Sequence, residues 1–458
     1  MSYHVIVGGG LAGLFVAKQL LNKGTKKIII IEKNKNLGGL LKSEYIDNPD
    51  DKGQKLSFDF GTHFVLSPKN SLIDNLILED INLDDYYKFD KSLMEGHVIN
   101  QKLYSKSGCP NVNNFSILDK KEIENELKTL NEKYFLQESD LNKISDLKNT
   151  LQEYLFFRYG HKATELIYKP FYEKLTGLNC EHLNVSLKDS FIPGRLILFD
   201  RETSRKIKKN PQWDWRIAFS DCRDSESNIN KYYPKNGGIY KWIIDIRDIL
   251  IKNGVKIYLN SEIKKLNISE KQIKNISIAS GEKFECKKIY WTIPIYNFFN
   301  LSKLKFNIVK PILKKVTVVH FLIDKKPINR PFWIIFYDKK FISYRATLYD
   351  NFSPNKSKYF RISVELFQDL SEKMFDLETR IFNELVITKI IPEDSKKIWS
   401  VISENSALIP INETKNYDTA SDQFKFLEEK FDNLILLANR PDEKKGQIET
   451  LEKIMKLI

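Results

Sequence analysis

The chain has 458 residues, too many for one simple core, so two or three domains are expected. Its 42% hydrophobic and 12% aromatic content is that of a globular protein rather than a disordered or fibrous one, and no apolar run approaches the roughly 18 residues that span a bilayer. The net charge of +13 admits nucleic acid, a membrane surface or an anionic small molecule as a partner. Four scattered cysteines (Cys109, Cys180, Cys222, Cys286) with no C-x-x-C pair point to a reducing compartment and no structural zinc. A first strand beginning at residue 4 leaves no room for a signal peptide, so a cytoplasmic location is expected.

The first predicted element is a buried parallel strand, His4 to Val7, short, apolar and β-branched. Gly8, Gly10 and Gly13 then form G-x-G-x-x-G: a tight turn, a close backbone approach to a pyrophosphate, and close helix–strand packing. Apolar residues continue at helical spacing from Leu14 to Leu21, and Gly24 stops the helix. Ile28 to Ile31 is a second strand ending in Glu32, placed where a carboxylate accepts from ribose hydroxyls. The plain alternative is a glycine turn in an ordinary βαβ unit. The flanking strands and the acid favour a dinucleotide, and an acid rather than Arg at position 32 disfavours NADP.

"NPDDKGQK" (Asn48 to Lys55) predicts a hairpin loop between two short strands, the second being "LSFDFGTHFVL" with Gly61-Thr62-His63 on its edge. From Ser71 to about Tyr172 the chain predicts mostly charged helices, of which "DKKEIENELKTLNEKYF" and "DLKNTLQEYLFFRYG" are the clearest. The basic stretch Arg201 to Arg216, with Trp213 and Trp215 interleaved, reads as solvated lysines or a rim guiding an anionic substrate. No nucleic-acid module surrounds it. A Gly-Gly loop, a helix from about Ile239 to Lys252, a strand Val255 to Leu259 and a buried strand Lys287 to Ile295 follow. "KKVTVVHFLID", "PFWIIFYD", "FISYRATLYD" and "KYFRISVELF" predict an antiparallel sheet. A helix "SEKMFDLETRIFNELV" comes next, and the chain ends in a strand, a loop and a helix.

Three further pieces carry a family resemblance: Gly38-Gly39 shortly after Glu32, the "FDFGTHFVL" stretch, and "YYPKNGGIYKWIIDIRDILIKNG" followed by a strand and "SEIKKL". In this order the chain resembles FAD-dependent amine oxidases and protoporphyrinogen oxidase-like proteins, and is similar to phytoene desaturases and UDP-galactopyranose mutases. "IYKPFYEKLTGLNCEHLNVSL" (Ile167 to Leu187), with its K-x-x-G turn, looks like a further family segment. The tail looks most like bacterial members linked to cell-surface polysaccharide synthesis and to the mutase branch. The resemblance implies an α/β (α+β overall) fold: a discontinuous Rossmann-like FAD-binding domain (1–70, 231–300 and 413–458), a mostly helical cap (71–230) and an antiparallel-sheet substrate region (301–412).

It implies FAD contacts at Gly8, Gly10, Ala12, Gly13 and Leu14; at Glu32 and Lys33; at Gly38, Gly39 and Leu40; at Gly61, Thr62 and His63; at Ile263 on the adenine side; and at Arg440, Gln447 and Ile448 near the flavin. One departure stands out. Asn439 occupies the family's glycine position, and the loop Arg440-Pro441-Asp442 lacks the expected Tyr.

His63 is the candidate catalytic residue, orienting flavin or substrate, against the reading of a histidine satisfied by backbone. The other histidines show no metal spacing, so no metal is expected. Arg345, beside Tyr344 and Tyr349, is the candidate holder of an anionic group, against the reading of a solvent-facing strand arginine. Trp291 and Trp333 read as core. The expected function is FAD-dependent oxidation of a small organic substrate. The alternatives are a mutase-like isomerase of a sugar nucleotide and a non-catalytic flavoprotein-fold partner. The expected partners are a small-molecule substrate, no nucleic acid, and at most peripheral membrane contact.

Overall fold

The computed structural model describes residues 2–69, 71–91, 93–133, 148–189, 191, 194–220, 226–372, 375–441, 443 and 446–458. Cys222, Asp442 and the predicted helix ends at 134–135 and 146–147 lie outside them. The chain opens with β1 (Ser2–Val7), the helix Leu11–Asn22 and β2 (Ile28–Ile31). All four isoleucines of β2 are buried, each contributing roughly 1.5–3 kcal/mol of apolar burial, as a central parallel strand covered on both faces requires. The hairpin β3 (Ser43–Asn48) and β4 (Asp51–Asp59) follows, then β5 (Val65–Pro68). "LSFDFGTHFVL" is therefore not one strand. It breaks after Asp59, and β4 and β5 belong to different sheets.

The expectation of a mostly helical 71–172 is corrected between residues 86 and 104. That stretch forms β6 (Tyr86–Lys91), β7 (Glu95–Ile99) and β8 (Lys102–Tyr104). These strands are too short to show a period, and their partners are remote: β6 pairs with β9 (Glu226–Pro234), and β7 pairs with a strand near residue 335. Helices appear where periodicity was strongest, at Ile117–Lys133 and Leu151–Ala163, the second opened by a Thr150–Glu153 capping box.

After β9 come a turn at Gly237-Gly238, the helix Tyr240–Lys252, and β10 (Lys256–Tyr258), β11 (Ile263–Ser269), β12 (Gln272–Ile278) and β13 (Lys283–Trp291). The strand predicted to reach Ile295 stops at Trp291, because Pro294 caps a short helix, Ile295–Ser302. The second half holds β14 (Ile312–Ile323), β15 (Trp333–Phe336), β16 (Arg345–Leu348), β17 (Phe360–Gln368), β18 (Lys397–Ile411) and β19 (Leu434–Leu436). The fifteen-residue β18 is an element that sequence reasoning missed. The last helix is Gln447–Leu457.

One sheet runs β10-β2-β1-β13-β12-β11 with β19 beside β13, so strands from the start, middle and end of the chain share one Rossmann-like layer. A second runs β18-β14-β17-β16-β15-β7-β8. Its outer face, with Val319, Phe321, Ile334, Ala346, Ile362 and Val364, packs on the helix Leu377–Ile387. Its inner face meets the 60–63 loop. No helix among the described residues is long and apolar enough to cross a membrane.

Candidate functional site: a glycine cradle joined to a polar sheet face

The glycines do different work. A Cβ on Gly13 would sit 1.9 Å from the carbonyl oxygen of Gly8, so this glycine lets the helix lie against the strand. Gly8 has φ +106, and a Cβ there would strike Thr292 and Ile293. Gly10 is different: a Cβ would find only the Cα of Gly39, 3.9 Å away, so its free side opens outward. The Gly38 amide donates to the Gly9 carbonyl at 2.8 Å, which lays Gly38-Gly39 across the turn. Gly39 and Leu40 are exposed, and Ala12 is half-buried at the helix start, where free amides and the helix dipole attract phosphate.

Several of the expected contact residues also hold the cradle itself in shape. Leu14 is fully buried in the core, so it supports the cradle from behind. Gly8 and Gly13 are buried too. The Glu32 carboxylate, read as a ribose acceptor, accepts from the amide of Gly9 and from the amide and side chain of Asn34, each at 2.8 Å. It locks the turn. Lys33 is exposed. The Ser261 amide donates to the Glu32 carbonyl and the Asn260 amide to that of Asn34, so the approach to Ile263 runs beside this end of the cradle. Ile263 itself is core.

The β3–β4 hairpin that follows the cradle returns the chain beside its own start, so that the 60–63 loop lies next to Lys42 and Ser43. Phe60 donates its amide to Lys42, and Ser43 donates its hydroxyl to Asp59 at 2.6 Å. Asp59, which sequence reasoning did not carry forward, holds this region together. Its carboxylate also accepts from Tyr233 at 2.6 Å and from the Ile239 amide at 3.0 Å, while its own amide donates to Tyr349 at 2.7 Å. Burial pushes its pKa up to about 6 against these donors. The signal was present in "FDFGTHFVL", where this aspartate stands two residues before Gly61.

The loop lies on the inner face of the second sheet. Thr62 contacts Thr347 through their hydroxyls. The position of a Cβ on Gly61 is 3.1 Å from Glu365 Oε2 and 3.3 Å from His63 Nε2. His63 is half-buried, and its Nε2 meets the Phe60 carbonyl at 3.0 Å. Burial, helped by Arg345, pushes its pKa down, which favours the neutral imidazole. Arg345 is neither solvent-facing nor free for an anion. Its guanidinium is bound two-pronged by Glu365, at 2.6 and 2.7 Å, and lies 4.7 Å from the Trp333 ring centroid. Glu95 on β7 stands near it. Burial raises that carboxyl's pKa, against the pull of Lys231 and Arg345. Arg345, Thr347, Ser363 and Glu365 thus share one inward polar face on β16 and β17.

At the C-terminus, Gln447 donates to the Leu66 carbonyl at 2.9 Å, bringing the start of the last helix to the strand that follows the loop, and Ile448 packs on the same core as Leu14. Arg440 is committed elsewhere. It pairs with Glu428 at 2.8 Å and lies over Phe424. The K-x-x-G turn is structural, with Lys174 donating to the carbonyls of Phe336, Asp338 and Ser343. Within the basic stretch, Arg216 is fully buried and Lys208 donates to Ile217, so neither belongs to a solvated rim.

The NAD(P)-binding Rossmann-like domain family matches residues 6–76. No curated protein matches the chain in sequence. Among solved structures, reduced UDP-galactopyranose mutase superposes with a TM-score of 0.73 at 15% identity, covering 99% of this chain and 95% of that one. A protein of Exiguobacterium sp., provisionally named a protoporphyrinogen oxidase, gives 0.69 at 13% identity, covering 100% and 97%. Putrescine oxidase bound to putrescine gives 0.60 at 12% identity, covering 99% and 97%. This chain has the fold they share.

Proposed function

We propose that this protein is an FAD-dependent enzyme that oxidises a small organic substrate held between the 61–63 loop and the inner face of β16 and β17. The observation that carries the reading is one continuous track: an open glycine cradle at Gly10 and Gly39, the 38–43 segment, and the Gly61-Thr62-His63 loop lying on a buried polar sheet face. Buried polar groups persist only where they are partnered, and here Arg345 with Glu365, Thr347 with Thr62, and Ser363 with His320 and Tyr349 hold this face in one arrangement. The residues fit the cofactor, since the cradle leaves room that a Cβ at Gly10 would occupy. Bound FAD would supply the acceptance of a hydride. The chain supplies position: Arg345 and Glu365 fix a neutral, dry wall, Thr62 and Thr347 offer hydroxyls, and His63 presents a neutral ring.

The test is the visible spectrum of the purified protein, with the released cofactor identified after denaturation. Bound FAD is the expected result. A colourless protein that takes up no added FAD would overturn the reading and leave a non-catalytic fold. A second reading, a flavin-dependent isomerase of a sugar nucleotide, is favoured by the superposition on UDP-galactopyranose mutase over nearly all of both chains. Turnover that needs prior reduction but consumes no oxidant would select it.

A further inference from the structure

The inner face of the second sheet extends past Arg345 and Glu365. Strand pairing sets Ser363, Thr347, Trp333 and Glu95 in one row, from β17 through β16 and β15 to β7. Residues opposite one another on neighbouring strands share a face, so Glu95 stands at the far end of the same polar surface. A side chain from another sheet reaches that end. Lys231 lies on β9, the middle strand of the β5-β9-β6 sheet. Its amine is 5.5 Å from the ring centroid of Phe332 and 6.0 Å from that of Phe64. Phe332 in turn stacks on Trp333, with 5.1 Å between centroids.

The charges gathered here are not evenly matched. Arg345 is taken up by Glu365. Glu95 feels the charge of Lys231, and burial drives its carboxyl toward the neutral form. Lys231 itself is in no ion pair or hydrogen bond among the described residues. Two aromatic faces attract its ammonium and leave its three donors unused. Phe64, Phe332 and Trp333 are only 8, 3 and 9% exposed, whereas Thr62, His63, Glu95, Lys231 and Arg345 all keep part of their surface open. The open part of this site is therefore polar, and its unmatched charge is positive.

We propose that Lys231 binds an oxyanion of the substrate, so that the protein acts on an organic acid or an organic phosphate. The anion-holding role expected of Arg345 thereby falls to a residue of a different sheet. The inference rests on the reading of this face as the substrate site, and it names the class of substrate. A cationic amine would meet Lys231 as a like charge, and a neutral compound that displaced its water would leave the ammonium unpaired. A lysine is a point charge without arginine's planar fork, so it accepts a carboxylate or a phosphate.

The experiment titrates the full-length, FAD-loaded protein by calorimetry with benzoate and phenyl phosphate, and with benzamide and benzylamine as the neutral and cationic counterparts. At least one of the two anions is expected to bind about tenfold or more tightly than benzamide. Lys231→Met is expected to remove that preference and Lys231→Arg to keep it. The tighter of the two anions identifies carboxylate or phosphate as the group held. Melting curves and FAD uptake report whether the variants fold, and Lys231→Gln serves if Lys231→Met does not. Binding by none of the probes would overturn the proposal. So would tighter binding of benzamide or benzylamine, or a preference for the anion that survives in the folded Lys231→Met variant. If the protein takes up no FAD, the same titrations are run without it, and anion binding that depends on Lys231 would then uphold the anion site and overturn only the oxidation.

Discussion

In the N-terminal cradle, shape comes from missing atoms. Gly13 has no Cβ because the Gly8 carbonyl already occupies that place, and Gly10 has none although the space beside it is open. On the inner face of β16 and β17, shape comes from charged and hydroxyl groups that satisfy one another out of water, Arg345 with Glu365 above all. The first region is specified by neighbours in sequence. The second is specified by strands that meet only when the chain has folded. A glycine that packs and a glycine that binds look alike in a motif, and an inward charge looks like a surface charge in a strand. Only the surroundings separate them.

The comparison breaks most sharply at Glu365. Replacing it by Ala leaves the Arg345 guanidinium buried and unpaired, at an expected cost of about 3–5 kcal/mol in denaturant melts. The double replacement Arg345→Met with Glu365→Leu should recover most of that stability without restoring turnover. If the double variant is active, the pair is structural only. Next comes Gly13→Ala, whose methyl must push the helix off the strand. A loss of about 3 kcal/mol or more is expected, with the protein failing to bind FAD because it no longer folds tightly. Gly10→Ala is the counterpart. Its backbone at φ −75 accepts Ala, so the melt should shift by less than about 1 kcal/mol while FAD uptake is lost. Equal stability losses in the two glycine variants would erase the distinction drawn between them.

Asp59 joins the two regions and adds a pH dependence. Its folded pKa, about 6, lies above the ordinary 3.8, so the folded state binds this proton more tightly than the unfolded state. Its contribution is therefore fully present below about pH 4 and is lost as pH rises through about 6, by up to about 3 kcal/mol. Asp59→Asn, which keeps an acceptor for Ser43 and Ile239, should flatten that slope in melts run from pH 4 to 7. A slope unchanged in the variant would place the titration elsewhere.

Much of the first region was legible. The buried runs of β1 and β2, the glycine spacing and the double glycine follow from residues a few positions apart, and the structure has them where the pattern put them; the hairpin is there too, but its turn is tighter than the expected Asn48 to Lys55 loop, since β4 already begins at Asp51. Glu32 stands at the end of β2 as the pattern put it, and its bonds to Gly9 and Asn34 were not legible, because nothing local says which amides its oxygens meet. The alternation in "RISVEL" was readable as a strand with one polar and one apolar face. A two-faced strand ordinarily turns the polar side to water, and the same default, applied to "RATL" (Arg345 to Leu348) on the neighbouring strand, produced the solvent-facing reading of Arg345.

The sequence by itself determined the βαβ start, the role of glycine there and the antiparallel character of the later sheet, because backbone sterics and side-chain periodicity act over a few residues. The tertiary structure decided the rest. It broke "FDFGTHFVL" at Asp59 and brought β6, β7 and β8 into two different sheets. It committed Arg440 to Glu428 and turned the polar face of β16 and β17 inward against the 61–63 loop. Those outcomes depend on which distant strand supplies the hydrogen bonds and which surface covers a face, and neither is written in any short stretch of the chain.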